Sequence, residues 1–406
     1  PSDLAAVSVS TPVFLLFMAI GMLFGIGGTS LISRMLGEGK KEMAKHISSF
    51  CFWTGLVIGV VSMVAVMVFA ESICLGIGAS NDTIGYASEY LRIVALGIPF
   101  LILGNMLSNI IRAEGQATIA MMGMIIGNLV NIVLDPVMIL GFGWNVAGAA
   151  IATVLGNVFA ALIYVCHLMS RKTMLSINPR LYSARGHIAS GVLAIGIPAS
   201  LNSILMSVSN IVINSFMAKH GDLALAGLGV AMKVNMIAVM LLIGVGTGIQ
   251  PLLGYCYGAG NIKRYNSVLK FSLGFAFCLS MIMSAICYLG AAPLARAFLD
   301  NDEAFSYAFS FSRILIASGP ILGLLFVFMN AIQSMGAAIP ALILSVSRQG
   351  IIYIPILLII SAVNNTPANL AMTQPLTDYC AVVLAFVLFM VAHHKYFKKK
   401  LENQTA

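Results

Sequence analysis

The chain holds 406 residues, of which 60% are hydrophobic and only 9% charged, at a mean hydropathy of +0.98. So little polar side chain cannot coat a water-soluble body of 43.0 kDa, so the chain reads as an integral membrane protein. Its formal net charge of +8 lies in short loops without interleaved aromatic residues, which argues against a nucleic-acid surface and for charge that sets membrane topology.

Apolar stretches long enough to cross about 30 Å of hydrocarbon at about 1.5 Å per residue recur along the whole chain. They fall near 10–33, 46–70, 84–111, 117–140 and 147–170, then near 189–218, 223–254, 266–291, 304–333, 338–361 and 368–394. The expected class is all-α, a polytopic membrane protein with eleven helices in this sequence. Two glycine-rich helix ends, GIGGTSLISRMLGEGKK at 25–41 and GVGTGIQPLLGYCYGAGNIKR at 244–264, lead into basic loops. Neither has the Ser or Thr after Lys, nor the preceding strand, of a phosphate loop. Their small residues are expected to let neighbouring helices approach closely.

Shifted by 221 residues the chain matches itself at positions that fix backbone shape or polarity. Gly25 falls on Gly246, Gly27 on Gly248, Gly39 on Gly260, Arg92 on Arg313, Pro99 on Pro320, Asn109 on Asn330 and Gly115 on Gly336. Two pseudo-symmetric helical bundles follow. At this shift the helix at 189–218 has its counterpart before Pro1, so the intact protein is expected to have twelve helices, the first of them missing here. Six helices per lobe would give both lobes the same orientation, about an axis along the membrane normal. The expected division is an N-terminal lobe at 1–170, a linker at 171–187 and a C-terminal lobe with a basic tail at 188–406. The linker, RKTMLSINPRLYSARGH, is polar and basic and contains Pro179 and Gly186; it is expected to lie as a strap on the membrane surface.

Basic residues cluster in alternate loops: Arg34 to Lys45, Arg112, Arg171 to Arg185, Lys263 to Lys270, and Lys395 to Lys400. The intervening loops carry Lys219 and Arg296 among Glu71, Asp82, Asp300, Asp302 and Glu303. The positive-inside rule makes the first set, and the C-terminus, cytoplasmic. The N-terminus does not read as a signal peptide. Seven cysteines stand singly and read as packing residues. His393 and His394 read as solvated, and His46, His167, His187 and His220 lie near helix ends without forming a site.

Polar groups within spans need a protein- or water-lined setting. In GNLVNIVLDPVMIL, Asn128, Asn131 and Asp135 follow i, i+3, i+7 spacing and share a helix face, and Pro136 frees the carbonyl of Ile132 beside the acid. A carboxylate in low dielectric responds to a proton or a nearby cation, which makes it a switch; the bland alternative is an Asp that only ends a helix. Thr153 and Asn157 form an i, i+4 pair on the next helix, and Ser108 and Asn109 lie on the preceding long one. With Asp135 these could close an oxygen-rich pocket, although each alone reads as a packing hydrogen bond. The second lobe offers Asn202, Asn210, Asn214, Asn235, Asn330 and Gln333, with Lys233 as its basic group and no span acid before Asp378. Lys233 would either face a substrate cavity, along with Asn157, Asn202 and Asn235, or extend to the interface. No paired carboxylates, metal cluster or Ser/His arrangement suggests catalysis.

The segment NIVLDPVMILGFGWNVAGAAIAT, Asn131 to Thr153, and the preceding IIRAEGQA, Ile110 to Ala117, resemble signatures of the multidrug and toxic compound extrusion (MATE) family. The resemblance is to the bacterial branch with its ion site in the N-terminal lobe. It implies a monomeric antiporter of the bacterial inner membrane that exports organic cations in exchange for H⁺ or Na⁺, with no other cofactor. It places the coupling-ion site at Asp135, Asn131, Thr153 and Ser108, to which Asn109 is added as Ser108's neighbour, with Na⁺ at Asp135 as the one metal expected. The alternative in the same superfamily is a flippase for a lipid-linked saccharide or other polar lipid, which would favour a cationic cleft.

Overall fold

The computed structural model describes residues 2–77, 84–184, 186–299 and 301–405. Asp82, Arg185 and Asp300, three of the loop charges above, lie outside the described residues. Those described are helical almost throughout, without a strand among them. Among the described residues nine helices are long and apolar enough to cross a membrane, and two bent pairs bring the number to eleven. The protein is a multi-pass membrane protein.

The first lobe runs through α1 (Ser2–Gly37), α2 (Lys41–Ile77), α3 (Ile84–Ala95), α4 (Ile98–Ala113), α5 (Ala117–Pro136) and α6 (Asn145–Met169). A π-helical stretch, Val137–Gly141, prolongs α5. After the linker comes α7 (Ile188–Ala218), and then the second lobe repeats the plan. Its helices are α8 (Asp222–Gly258), α9 (Ile262–Phe298), α10 (Asp302–Ile316), α11 (Gly319–Ser334), α12 (Ala338–Val346), α13 (Tyr353–Val363), α14 (Pro367–Ala371) and α15 (Thr373–Thr405). A second π-helical stretch, Ser347–Ile352, joins α12 to α13. The bounds of α9 and α11 are those of α2 and α4 moved by the same 221 residues.

The repeat extends to details whose cause is local. Pro99 and Pro320 sit in the first turns of α4 and α11, where a missing N–H costs nothing and the preceding helix cannot run on. The two breaks bend by 47° and 49°. Gly115 and Gly336 both take positive φ, +88° and +71°, at the turns that follow α4 and α11, a conformation that disfavours any side chain. Along α4, Ile102, Met106, Leu107, Ile110 and Ile111 are fully buried, and the shift mates of the last four, Val327, Phe328, Ala331 and Ile332, are buried in α11. These two helices are the core of each lobe. Outer faces carry exposed Val61, Val68, Leu140, Phe271 and Leu289, as lipid contact requires.

By internal contacts the chain divides into units 1–200 and 201–406, so the boundary falls within α7. The first half of α7 packs on α1 at glycines. A Cβ on Gly27 would run into the carbonyl of Val192, and one on Gly196 into that of Leu23. This is the close approach expected of the glycine-rich helix end. The linker is strapped to α2 as well as charged. Ser48 and Ser49 hydroxyls donate to the carbonyls of Ser176 (2.8 Å) and Asn178 (2.7 Å), and Trp53 Nε1 donates to that of Ile177 (3.0 Å). Arg171, Lys172 and Arg180 remain exposed.

Two histidine readings need correction. His393 is not a solvated neighbour of the tail: its Nε2 pairs with Asn266 Oδ1 at 3.0 Å and its ring packs on Phe397 and Phe389. His167 pairs with Glu114 across 2.6 Å, with both side chains buried. Both sites were hidden because the partner is far away in sequence.

Candidate ion site and cavities

In the first lobe, α5 and α6 meet at glycine. A Cβ on Gly127 would stand 2.8 Å from the carbonyl oxygen of Gly156, and one on Gly156 2.7 Å from that of Gly127. This contact lets short polar side chains on the two helices reach each other. Asn131 Nδ2 lies 3.4 Å from Asp135 Oδ1 on its own helix and 3.3 Å from Thr153 Oγ1 on α6. The Thr153 hydroxyl in turn donates to the carbonyl of Ala149 at 2.9 Å. Asp135 is half-buried and is followed at once by Pro136 and the π-helical turn. Here the backbone lacks a regular i to i−4 ladder, and such departures concentrate where helices must adapt.

Asn131 and Thr153 open on a cavity of about 360 Å³ whose wall also includes Asn128, Asn157, Ser108 and Asn109. Six of the sequence-derived positions thus line one cavity, and a seventh, Asp135, is reached through Asn131. They do not form one ligand set. Arg112, read as a loop charge, belongs to the last turn of α4, is half-buried and lines the same cavity. Its Nη2 donates to Ser108 Oγ at 2.9 Å and its Nη1 to Asn109 Oδ1 at 3.2 Å. A guanidinium on those two oxygens disfavours a cation there, so Arg112 makes one end of the cavity cationic, whereas Asp135 is not part of its wall and is linked to it only through Asn131. Asn109 Nδ2 donates to the carbonyl of Asn105, as its mate Asn330 donates to that of Phe326, each at 2.8 Å. Gly25 and Gly246 lie against these two amides, which explains why the pairs recur together.

The second lobe encloses a cavity of about 210 Å³. Asn235 lines it, whereas Asn202 and Lys233 do not. Asn202 Oδ1 is buried without a partner. Lys233 is exposed, with its ammonium 5.4 Å from the centre of the Phe298 ring. The reading of Lys233 as the span's basic group missed Arg348. This residue lies in the π-helical stretch, is 6% exposed, and pairs with Asp378 of α15 at 3.1 Å. A buried Arg embedded in an apolar run was visible in the sequence, but its partner was not. Among the described residues no three His, Cys, Asp or Glu side chains gather as a metal site.

The profile of the MatE family matches residues 1–137 and 198–359. The chain belongs to this family. It is 31% identical over 390 residues to the multidrug export protein MepA of Staphylococcus aureus (strain NCTC 8325 / PS 47), covering 96% of this chain and 86% of that one. MepA of Staphylococcus haemolyticus is 28% identical, over 95% and 85% of the two chains. Among solved structures, a MATE protein in complex with MaL6 superposes with a TM-score of 0.91 at 26% identity, covering 98% of this chain and 90% of the other. An outward-facing multidrug resistance MATE transporter of the MOP superfamily gives 0.91 at 26%, over 98% and 89%. MATE proteins are membrane transporters, so this chain is a transporter and not an enzyme. Its helical repeat is that of the family.

Proposed function

We propose that this MATE protein exports lipophilic, often cationic organic compounds across the inner membrane of a bacterium by alternating access, in exchange for H⁺ or Na⁺. The Asp135–Asn131–Thr153 bridge between α5 and α6 carries the reading. Protonation removes the charge and gives the carboxyl a donor of its own, so it accepts more weakly and the Asn131 amide is held less tightly on that side. Turned over, the same amide would offer Oδ1 beside Asp135 and Thr153, an all-oxygen set suited to a hard cation. Either event changes how α5 is tied to α6 at the point where Pro136 and the π turn leave the helix free to repack. Export of drugs by the MepA relatives supports the substrate class. Loop charges favour a cytoplasmic linker and C-terminus, and in this reading the protein works as a monomer with no cofactor beyond its coupling ion. The flippase alternative asks for a cationic cleft, and Lys233, which lies over the Phe298 ring, does not line the second-lobe cavity.

The test is efflux of a fluorescent cation from vesicles carrying the full-length protein, under an imposed pH or Na⁺ gradient. Asp135→Asn is expected to abolish the gradient-driven component while leaving substrate binding in place. Gradient-driven efflux at the wild-type rate would overturn the reading.

A further inference from the structure

The buried pair in the second lobe is unevenly satisfied. Asp378 Oδ1 receives Arg348 Nη2 (3.1 Å), Arg348 Nε (3.3 Å) and Gln374 Nε2 (3.1 Å), and Oδ2 receives the Ser318 hydroxyl at 3.0 Å. A carboxylate has room for about four such bonds, so Asp378 is full. Arg348 has five N–H groups, of which two point at Asp378. Its Nη1 has no protein acceptor, and Arg348 lines the adjoining space. The space is the 210 Å³ cavity, walled by both members of the pair and by Met206, Met232, Met236 and Met240. Beyond the pair its polar wall holds the amides of Asn210, Asn235 and Gln374, and the rest is soft and apolar.

We propose that this cavity is a binding site within the second lobe for small aromatic or aliphatic acids, with a carboxylate on the free edge of Arg348 and an apolar body among the methionines. The volume exceeds the roughly 150 Å³ that admits benzene in an engineered protein cavity, so one or two rings fit. Thioether side chains adapt to ring shape at little cost. The π-helical turn Ser347–Ile352 presents Arg348 to the cavity, and the Ser209 hydroxyl pins it by donating to the Gln349 carbonyl at 2.6 Å. Asp378 neutralises the guanidinium when the site is empty, and a ligand carboxylate shares it when the site is filled. This site is separate from the Asp135 cluster and does not depend on the coupling mechanism.

Binding of 1-naphthylacetate, followed by its fluorescence in lipid nanodiscs and corrected with empty discs, tests the proposal. The matched amine, 2-(1-naphthyl)ethylamine, is the counter-probe, since its ammonium offers Arg348 no acceptor. The acid is expected to bind saturably and about tenfold more tightly than the amine. Asp378→Asn leaves Arg348 uncompensated and is expected to tighten the acid about tenfold. The double variant Arg348→Gln with Asp378→Asn removes the preference. Met232→Trp, which fills the cavity without touching the pair, is expected to abolish saturable binding in protein that still elutes as a single species. Equal binding of acid and amine by the wild-type protein would overturn the proposal, and so would acid binding unchanged in Met232→Trp. Neither result bears on Asp135, whose variant is read by efflux.

Discussion

The two lobes use one helical plan for opposite electrostatic ends. In the first, the acid Asp135 is half-buried and bonded only to an amide, while Arg112, which lines the cavity that Asn131 opens on, is bonded to Ser108 and Asn109 instead. In the second, acid and base are locked together: Asp378 and Arg348 side chains are 2% and 7% exposed. At the repeat shift Asp378 is the mate of Asn157, and Arg348 the mate of Gly127. The glycine that lets α5 touch α6 in one lobe is thus replaced by the arginine that ties the corresponding helices by charge in the other. The π-helical stretches follow suit. One comes after Pro136, whereas the other, Ser347–Ile352, corresponds to Ile126–Asn131 and precedes that point. A repeat conserves the helix scaffold, while each lobe spends its irregular turn where its polar group needs to be aimed.

The largest expected effect separates stability from transport. Arg348→Met leaves a buried, unpaired carboxylate and is expected to cost about 3–5 kcal/mol. Combined with Asp378→Leu it should recover most of that loss, because well-packed apolar pairs replace buried ion pairs at little net cost. Asp135→Asn, at a half-exposed amide contact, should lie within about 1 kcal/mol of wild type and still lose coupled efflux. The measure is the folded fraction after heating in detergent, read by fluorescence-detected gel filtration. Similar losses in Arg348→Met and Asp135→Asn would erase the contrast.

How much of this was legible in the sequence depended on distance along the chain. The eleven spans, the repeat and the Asp135–Asn131 face follow from period and spacing within one helix. Thr153 was reachable through the motif that links it to Asp135. Arg112 was misread because a basic residue at a helix end looks like a topology charge, and only the fold shows its guanidinium turned back along α4 to Ser108. Glu114 stood in a recognised motif without a role. The carboxylate holds His167 Nε2 (2.6 Å), Thr173 Oγ1 (2.7 Å) and the Met174 N–H (3.0 Å), all distant in sequence, and so clasps the linker. Its shift mate is Met335, buried and apolar, because the second lobe has no linker to hold there.

Glycine mates sharpen the comparison next. Gly27 lies against the Val192 backbone, whereas nothing approaches within 4 Å of a Cβ placed on Gly248. Gly27→Ala is expected to cost about 1–3 kcal/mol through overpacking against a carbonyl that cannot yield. Gly248→Ala should instead gain up to about 1 kcal/mol from helix propensity. The same gel-filtration melting series decides it, and a harmless Gly27→Ala would mean that α1 and α7 are not held at that contact.

The Glu114 clasp comes third. Glu114→Gln loses charge-assisted bonds worth about 1.5–3 kcal/mol, whereas Met335→Gln has no linker to release. Trypsin cleavage at Arg171, Lys172 and Arg180 reads local opening, and about 1.4 kcal/mol corresponds to a tenfold faster cut. Unchanged cleavage in Glu114→Gln would show that the contacts from α2, the Ser48 and Ser49 hydroxyls and the Trp53 indole, hold the strap without it.

Arg92 and Arg313 give the smallest effect. Arg92 Nη2 meets Glu71 at 3.2 Å with both side chains well exposed, a pair worth less than about 1 kcal/mol. Ala292 stands where the second lobe would need Glu71's mate, so Arg313 stacks on Tyr288 and Phe309, 4.6 and 4.4 Å from the ring centres. Their first-lobe mates, Met67 and Ser88, offer no ring. Lysine keeps the charge but not the flat face, so Arg313→Lys should cost about 0.5–1 kcal/mol and Arg92→Lys nothing measurable. Salt separates them again: at about 0.5 M the ion pair is screened and Arg92→Ala melts as wild type, whereas the stacked Arg313 is shielded by its rings and Arg313→Ala keeps its deficit. Loss of both deficits at high salt would reduce the two arginines to the same surface charge in two lobes.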